Sequence, residues 1–288
     1  MMFFYDYLLL ILLSAIWGSS FIFMRLLAPA LGPIATADLR ILIAGTALAI
    51  FLKFQNRSLE WKAHWKQYLI IGLLNSGFPF LLFSFAALHL PASVSVIINA
   101  MTPLFGAISA VIWLGEKMSV RIVAGLFLGI TGVAIIRGGG SFELTPMTTL
   151  AMGACMLATM FYAVGGVYVK LKAHDIGPTA IATGSQLLVG LLFLPLVFFS
   201  PVPAVLTVEI IIYTMIFALF CSAIAYLIYY RLLKILGPTK ATTVTFLIPV
   251  FGFIWGALFL NEEITFAMVV GGIIVLSAIY FVTGKKKS

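Results

Sequence analysis

The sequence predicts an all-α integral membrane protein with ten transmembrane helices, arranged as two inverted five-helix repeats around a central cavity. Three observations predict it: the apolar composition, ten apolar segments of spanning length, and an internal repeat. Of the 288 residues, 63% are hydrophobic and 9% are charged, and the mean hydropathy is +1.18. Because soluble domains have about 25% charged residues, this chain carries more apolar surface than a water-soluble fold buries.

The apolar segments have the length that a membrane span requires. A hydrocarbon core about 30 Å thick needs about 20 apolar residues in a single helix. The first segment has no basic region before it and no small-residue cleavage signature after it, so we interpret it as a retained span. The ten predicted spans cover approximately residues 6–25, 35–53, 67–88, 92–114, 119–137, 148–170, 178–199, 208–232, 239–260 and 264–283.

The basic residues between the spans predict the orientation. If the N-terminus lies inside, the loops and the C-terminal tail on that side hold all but three of the 17 Lys and Arg residues. The three on the other side are Arg25, Arg40 and Arg137. Since cytoplasmic loops carry the excess of Lys and Arg, we expect a multi-pass protein of the cell (inner) membrane with both termini in the cytoplasm. The expected partners are the lipid bilayer and a small-molecule solute, with a possible homodimer and no nucleic acid.

An internal repeat is visible when the chain is compared with itself. At an offset of 145 residues, the Gly-Pro pair at 32–33 aligns with the pair at 177–178. At an offset of 146, the string from Pro103 to Glu116 aligns with the string from Pro249 to Glu262. Each repeat holds five spans, an odd number, so the second repeat enters the membrane from the opposite side.

The repeat also predicts the domain organisation and the type of mechanism. We expect a first repeat at residues 1–138, a linker at 139–147 and a second repeat at 148–288. Two inverted halves can exchange conformations and so open one central site alternately to each side of the membrane. This organisation favours a transporter.

The motifs resemble those of the drug/metabolite transporter superfamily, specifically the bacterial ten-helix transporters with two EamA domains. The resemblance covers essentially the whole chain. It implies a central cavity and the export of amino acids, other metabolites or drugs. The motifs that carry it are Trp17-Gly-Ser-Ser-Phe21, Arg40-Ile-Leu-Ile-Ala44, Pro103-Leu104 through Trp113-Leu-Gly-Glu116, and Pro249-Val250 through Leu260-Asn261-Glu262, with Asn in place of the usual Gly.

Polar and aromatic side chains inside the spans are the candidate solute contacts, because polar groups in a bilayer tend to face a cavity or a partner helix. Pro103 and Pro249 each free a backbone carbonyl one turn earlier, so they are candidate hinges. Interhelical hydrogen bonding is the alternative for any single residue. The predicted cavity-lining residues are Ser14, Trp17, Phe21, Asn75, Phe78, Asn99, Thr102, Thr159, Tyr162, Ser222, Tyr226, Tyr229, Thr242 and Thr245.

Three charges near span ends are predicted to be structural or gating groups. Glu116 and Glu262 each precede a helix, where a carboxylate favours the positive N-terminal end or pairs with a base such as Arg121. We expect Arg40 to form an ion pair with Asp38 or to lie at the membrane interface, rather than to bind solute.

Several activities lack the residues that they need. No Asp, Glu or His lies in the middle third of a predicted span, so we expect facilitated transport or exchange rather than proton coupling through a central carboxylate. No phosphate-binding loop or metal motif is present, so we expect no cofactor, no metal and no enzymatic activity. The predicted function is secondary transport of small metabolites such as amino acids, and the family resemblance alone implies the outward direction. The alternatives are a multidrug or nucleobase-type exporter of the same fold, an uncoupled channel and a membrane enzyme.

Overall fold

The computed structural model describes residues 2–140, 142–200, 206–236 and 244–283, and these residues contain no β-strand. The helices are α1 Met2–Phe54, α2 Trp61–Gly72, α3 Phe78–Ala86, α4 Ala92–Asn99, α5 Thr102–Leu114, α6 Val120–Gly139, α7 Pro146–Lys172, α8 Pro178–Val197, α9 Val208–Ala218, α10 Ala225–Leu236, α11 Val244–Leu260 and α12 Phe266–Thr283.

The described helices account for the predicted spans. Eight helical stretches are long and apolar enough to cross a membrane, and α11 is a shorter apolar helix. The first stretch, Tyr5–Phe54, contains two crossings because Gly32 breaks the helix with a φ of 76°. Glycine tolerates this left-handed φ, and Pro33 begins the returning helix. The helix continues to Gly32, through residues predicted to be a loop, and the predicted start of the ninth span at 239–243 lies outside the described residues.

Two crossings contain wide, π-helical turns at equivalent positions. Leu73–Gly77 joins α2 to α3, and Leu219–Ile224 joins α9 to α10. The two turns start 146 residues apart, which is the offset of the sequence repeat. A wide turn shifts the backbone hydrogen-bond register and leaves a carbonyl available to other groups.

The fourth crossing is broken inside the membrane, between α4 and α5. Pro103 has no N–H to donate to the carbonyl of Asn99, and the Thr102 hydroxyl donates to that carbonyl instead, at 2.7 Å. By contrast, Pro249 lies inside the continuous helix α11. The two candidate hinges therefore have different local structures, and a hinge role remains a prediction for both.

The helices of the two repeats pack against each other around the centre of the molecule. Helix α1 packs against α8 and α11, and α3 packs against α7. At the periphery, α6 packs against α12. That contact is close because a Cβ on Gly132 would lie 2.7 Å from the carbonyl oxygen of Gly271. Close backbone contact through small residues is how membrane helices pack tightly.

Candidate functional site

A cavity of about 580 Å³ lies between the two repeats. Small-molecule sites span about 300–1,000 Å³, so this cavity has room for one metabolite-sized solute. One end is lined by Ala173, His174 and Ile176, in the connection after α7. Six crossings precede this connection, so it lies on the same side of the membrane as the start of α1. We call this side the N-terminal side, and the cavity reaches its surface.

Among the described residues, the connections on the other side of the membrane contribute nothing to the cavity lining. No described residue of the connections at 87–91, 140–145 or 261–265 lines it. A shallow groove of about 370 Å³ beside the 55–60 connection holds none of the predicted solute contacts.

Seven of the described residues that line the cavity are Trp, Tyr or Phe. Trp17 contacts Tyr229 and Tyr226, with ring centroids 5.3 and 6.3 Å apart. Phe83 contacts Phe21 at 5.3 Å in an edge-to-face arrangement, and Tyr162 stacks on Phe83 at 6.1 Å. These rings give part of the cavity wall a rigid, mainly apolar surface.

The structure brings nine of the fourteen predicted solute contacts to this cavity. They come from both repeats, and they include Asn99 and Thr245, which occupy equivalent positions of the two repeats. Their contact with a solute remains a prediction. The nine residues are Trp17, Phe21, Asn75, Asn99, Thr102, Tyr162, Tyr226, Tyr229 and Thr245.

Four predicted contacts lie elsewhere in the structure. Ser14 and Thr159 are fully buried, and their hydroxyls donate to backbone carbonyls of their own helices, at 2.9 and 2.6 Å. Phe78 is 38% exposed on the outside of the bundle and stacks on Phe161. Ser222 lies behind the lining and accepts a hydrogen bond from Arg40.

Thr242, the remaining predicted contact, lies outside the described residues.

Arg40 lies in the cavity wall, and the ion pair expected with Asp38 is absent. Asp38 is fully buried, and its two carboxylate oxygens have no hydrogen-bond partner among the described residues. The physical reason is helical geometry, since residues two apart on a helix do not face each other. Arg40 is 4% exposed, and its guanidinium lies between the rings of Phe80 and Phe217, 3.8 and 4.4 Å from their centroids.

Glu262 bonds to a different helix from the one expected. Instead of facing the start of α12, its carboxylate accepts hydrogen bonds from the first turn of α4. Oε1 accepts from the Ala92 N–H at 2.6 Å, and Oε2 accepts from the Ser93 N–H at 3.0 Å and the Ser93 hydroxyl at 2.6 Å. Three bonds between the repeats therefore hold them together on the side opposite the cavity mouth.

Glu116, the equivalent residue of the first repeat, is exposed to solvent. The ion pairs among the described residues join His64 to Glu60 and His174 to Asp175, so the suggested pair of Glu116 with Arg121 is not formed.

The sequence reasoning missed several lining residues that the repeat itself could have identified. Phe80 and Phe83 are the counterparts of the predicted Tyr226 and Tyr229 at the 146-residue offset, and all four residues line the cavity. Arg40 was treated as a structural charge, although its counterpart at the 145-residue offset, Ser185, also lines the cavity. The other polar lining residues that were missed are Ser20, Ser76 and His174.

Comparison with known proteins agrees with this architecture. The model of the EamA-like transporter family matches residues 5–138 and 149–284. The uncharacterized transporter YvbV of Bacillus subtilis is 28% identical, covering 98% of this chain and 92% of YvbV. Protein PecM of Dickeya dadantii is 26% identical, covering 93% of this chain and 88% of PecM.

The fold also matches a solved structure. A crystal structure aligns over 98% of both chains with a TM-score of 0.68 at 14% sequence identity, which supports the fold alone. The family match covers nearly the whole chain, and it agrees with the two repeats of apolar helices and the cavity between them. The chain therefore belongs to the EamA-like transporter family, and it is a multi-pass membrane transporter of small solutes, not an enzyme.

Proposed function

We propose that this protein is a secondary transporter that exports a small amphiphilic metabolite, such as an amino acid, by alternating access through the central cavity. The observation that carries the proposal is the cavity between two related repeats, which reaches one surface of the molecule and is closed on the other by the bonds of Glu262. A site of this kind at the interface of inverted repeats is the arrangement that alternating access uses.

The predicted orientation in the inner membrane supports the proposed outward direction. The excess of basic residues on the N-terminal side predicts that this side is cytoplasmic. The cavity mouth, lined by Ala173 and His174, then opens to the cytoplasm, where a metabolite for export is available.

The lining also bears on the solute. Trp17, Phe21, Phe83 and Tyr162 offer apolar and aromatic surface to the body of a solute. The polar groups around them are mostly uncharged, among them Asn99 and Thr102 at the break in the fourth crossing. This composition fits a single compact amphiphile better than a multiply charged solute.

Counterflow in proteoliposomes tests the proposal. Vesicles preloaded with an unlabelled solute should accumulate its labelled form, in a panel of amino acids, nucleosides and cationic dyes. We expect saturable counterflow of amino acids. Preference for dyes or nucleosides would favour the multidrug or nucleobase-type alternative. Single-channel currents in planar bilayers without saturable counterflow would contradict alternating access.

Three alanine variants test the cavity as the route. We expect Trp17→Ala, Asn99→Ala and Tyr226→Ala each to reduce counterflow about fivefold or more, since an aromatic contact contributes about 1 kcal/mol beyond its buried area and a hydrogen bond contributes about as much. Matched controls are Trp113→Ala and Tyr280→Ala, whose side chains are 51% and 73% exposed and do not line the cavity. Unchanged flux in all three cavity variants at matched protein levels would contradict the cavity as the solute site.

A further inference from the structure

Arg40 supplies the positive charge of the cavity. Among the described lining residues it is the only arginine or lysine, and no aspartate or glutamate lines the cavity with it. Its repeat counterpart, Ser185, is uncharged and also lines the cavity. The charge is therefore confined to one wall, although the two repeats contribute equivalent positions to the lining.

The protein groups that bind Arg40 are all neutral. Nε donates to the Ser222 hydroxyl at 2.7 Å, and Nη2 donates to the Cys221 carbonyl at 3.2 Å and the Ser20 hydroxyl at 3.4 Å. The Nη1 group has no hydrogen-bond partner among the described residues. No carboxylate of the described chain lies within ion-pair distance of the guanidinium, and Asp38 bonds to no described group.

The surrounding structure holds the guanidinium in one position without neutralising it. Phe80 and Phe217 lie within 4.4 Å of the guanidinium carbon, which restricts its plane. The Cys221 carbonyl belongs to the wide turn Leu219–Ile224, where the backbone register is shifted. A cation that is desolvated, positioned and unpaired in a protein interior is costly, and an anionic ligand would offset that cost.

We propose that Arg40 binds the carboxylate of the transported solute, so that the substrates are small organic acids or zwitterions with an apolar or aromatic body. Nε and Nη2 are already engaged, so the two N–H donors of Nη1 are those left for a ligand. This limited number of donors suits a singly charged carboxylate better than a phosphate ester, which carries more charge and more acceptor oxygens. The inference rests on the proposed function because it assigns a solute class to the same cavity.

Equilibrium binding to the full chain in lipid nanodiscs tests this inference without requiring transport. The probe is radiolabelled 3-phenylpropionate, with unlabelled 3-phenylpropionate, 3-phenylpropionamide, L-phenylalanine and phenyl phosphate as competitors. The acid and its amide differ only in the group that faces Arg40. We expect the acid and L-phenylalanine to compete roughly 10- to 100-fold better than the amide, as hydrogen bonds to a charged partner imply.

Variants separate a direct contact from a structural role. We expect Arg40→Gln to reduce the preference for acid over amide to about one, and Arg40→Lys to retain part of it because the charge remains. Arg137→Gln is the matched control, since Arg137 is exposed and lies outside the cavity lining. Binding of the amide reports on the rest of the cavity in every variant. If Arg40→Gln lost affinity for the acid and the amide equally, the variant would be misfolded. Arg40→Lys, which keeps the charge, would then provide the test of the acid preference.

The outcomes separate this inference from the proposed function. An equal affinity for acid and amide in the unmodified protein, no saturable acid binding, or an acid preference that survives in Arg40→Gln would each overturn the role of Arg40. Tighter competition by phenyl phosphate than by the carboxylates would overturn the assigned acid class. Acid-selective binding with no counterflow would instead contradict alternating access and leave the role of Arg40 supported.

Discussion

Two glutamates at equivalent positions of the repeats have the same local backbone but different partners. Gly115 and Asn261, which precede them, have φ angles of 69° and 50°. The N–H of Glu116 donates to the Ala110 carbonyl at 3.3 Å, and that of Glu262 donates to the Gly256 carbonyl at 3.1 Å. The Glu262 side chain then bonds to the other repeat, whereas that of Glu116 is exposed.

The difference between the two ends corresponds to the position of the cavity mouth. The end with the bonded Glu262 is the closed side, and the end with the exposed Glu116 is the side that the cavity reaches. Contacts between the repeats, rather than the fold of either repeat, therefore distinguish the two sides. Under the proposed alternating access, the bonds of Glu262 to α4 must break before the closed side can open.

The largest expected effect is that of Glu262→Ala on the start of α4. Removal of the carboxylate leaves the N–H groups of Ala92 and Ser93 without their acceptor. Since a hydrogen bond to a charged group contributes about 1.5–3 kcal/mol, we expect these two amides to exchange with deuterium roughly 10- to 100-fold faster. Hydrogen-exchange mass spectrometry of the peptide containing residues 90–96 measures this.

Glu116→Ala is the matched control for that measurement. It removes the same group from the equivalent position, and it should leave exchange in residues 90–96 unchanged because Glu116 makes no contact there. Equal acceleration of exchange by the two variants would show that the bonds of Glu262 do not cause the difference between the two ends.

A smaller effect is expected from the residues that precede the glutamates. Gly115→Ala forces a side chain into the left-handed region, which costs about 1–2 kcal/mol. Asn261→Gly should stabilise the fold, and by a smaller free energy, because Asn tolerates this region better than other side chains. Thermal unfolding in detergent should thus show a lower Tm for the first variant and an equal or higher Tm for the second. A lower Tm for Asn261→Gly would contradict equivalent turns.

The fold was predictable because its determinants are local in the sequence. Span length and the repeated Gly-Pro pair after the first crossing both depend on short stretches of residues. Asn261, which stands in place of the family's usual Gly, adopts a φ of 50°, in the same region as Gly115. Family membership and the helical architecture were predicted correctly for the same reason.

The site was predictable only in part because its contacts join distant segments. The sequence identified Trp17 and Tyr162 through their equivalent positions, and both line the cavity. It misjudged Arg40, because two of the three groups that accept hydrogen bonds from the guanidinium belong to the second repeat, the Cys221 carbonyl 181 residues away and the Ser222 hydroxyl 182 residues away. For Glu262, the helix next in the chain was the expected partner, and a helix 169 and 170 residues away is the observed one.

The smallest expected effect isolates one of the three bonds of Glu262. Ser93→Ala removes the hydroxyl that donates to Oε2 and leaves the two backbone N–H donors in place. The carboxylate that accepts from the two amides stays in place, so these amides lose less than the roughly 1.5–3 kcal/mol of a hydrogen bond to a charged group, and we expect them to exchange about 2- to 10-fold faster.

The comparison for this variant is Ser119→Ala, which removes a hydroxyl on the side of the exposed glutamate. Ser119 accepts a hydrogen bond from the Ile122 N–H at the start of α6, on the opposite side of the membrane from the start of α4. Its loss should leave exchange in residues 90–96 unchanged. If Ser93→Ala accelerated exchange as much as Glu262→Ala, the hydroxyl rather than the carboxylate would stabilise the closed end. The different contacts of Glu116 and Glu262 would then not explain why one side is closed.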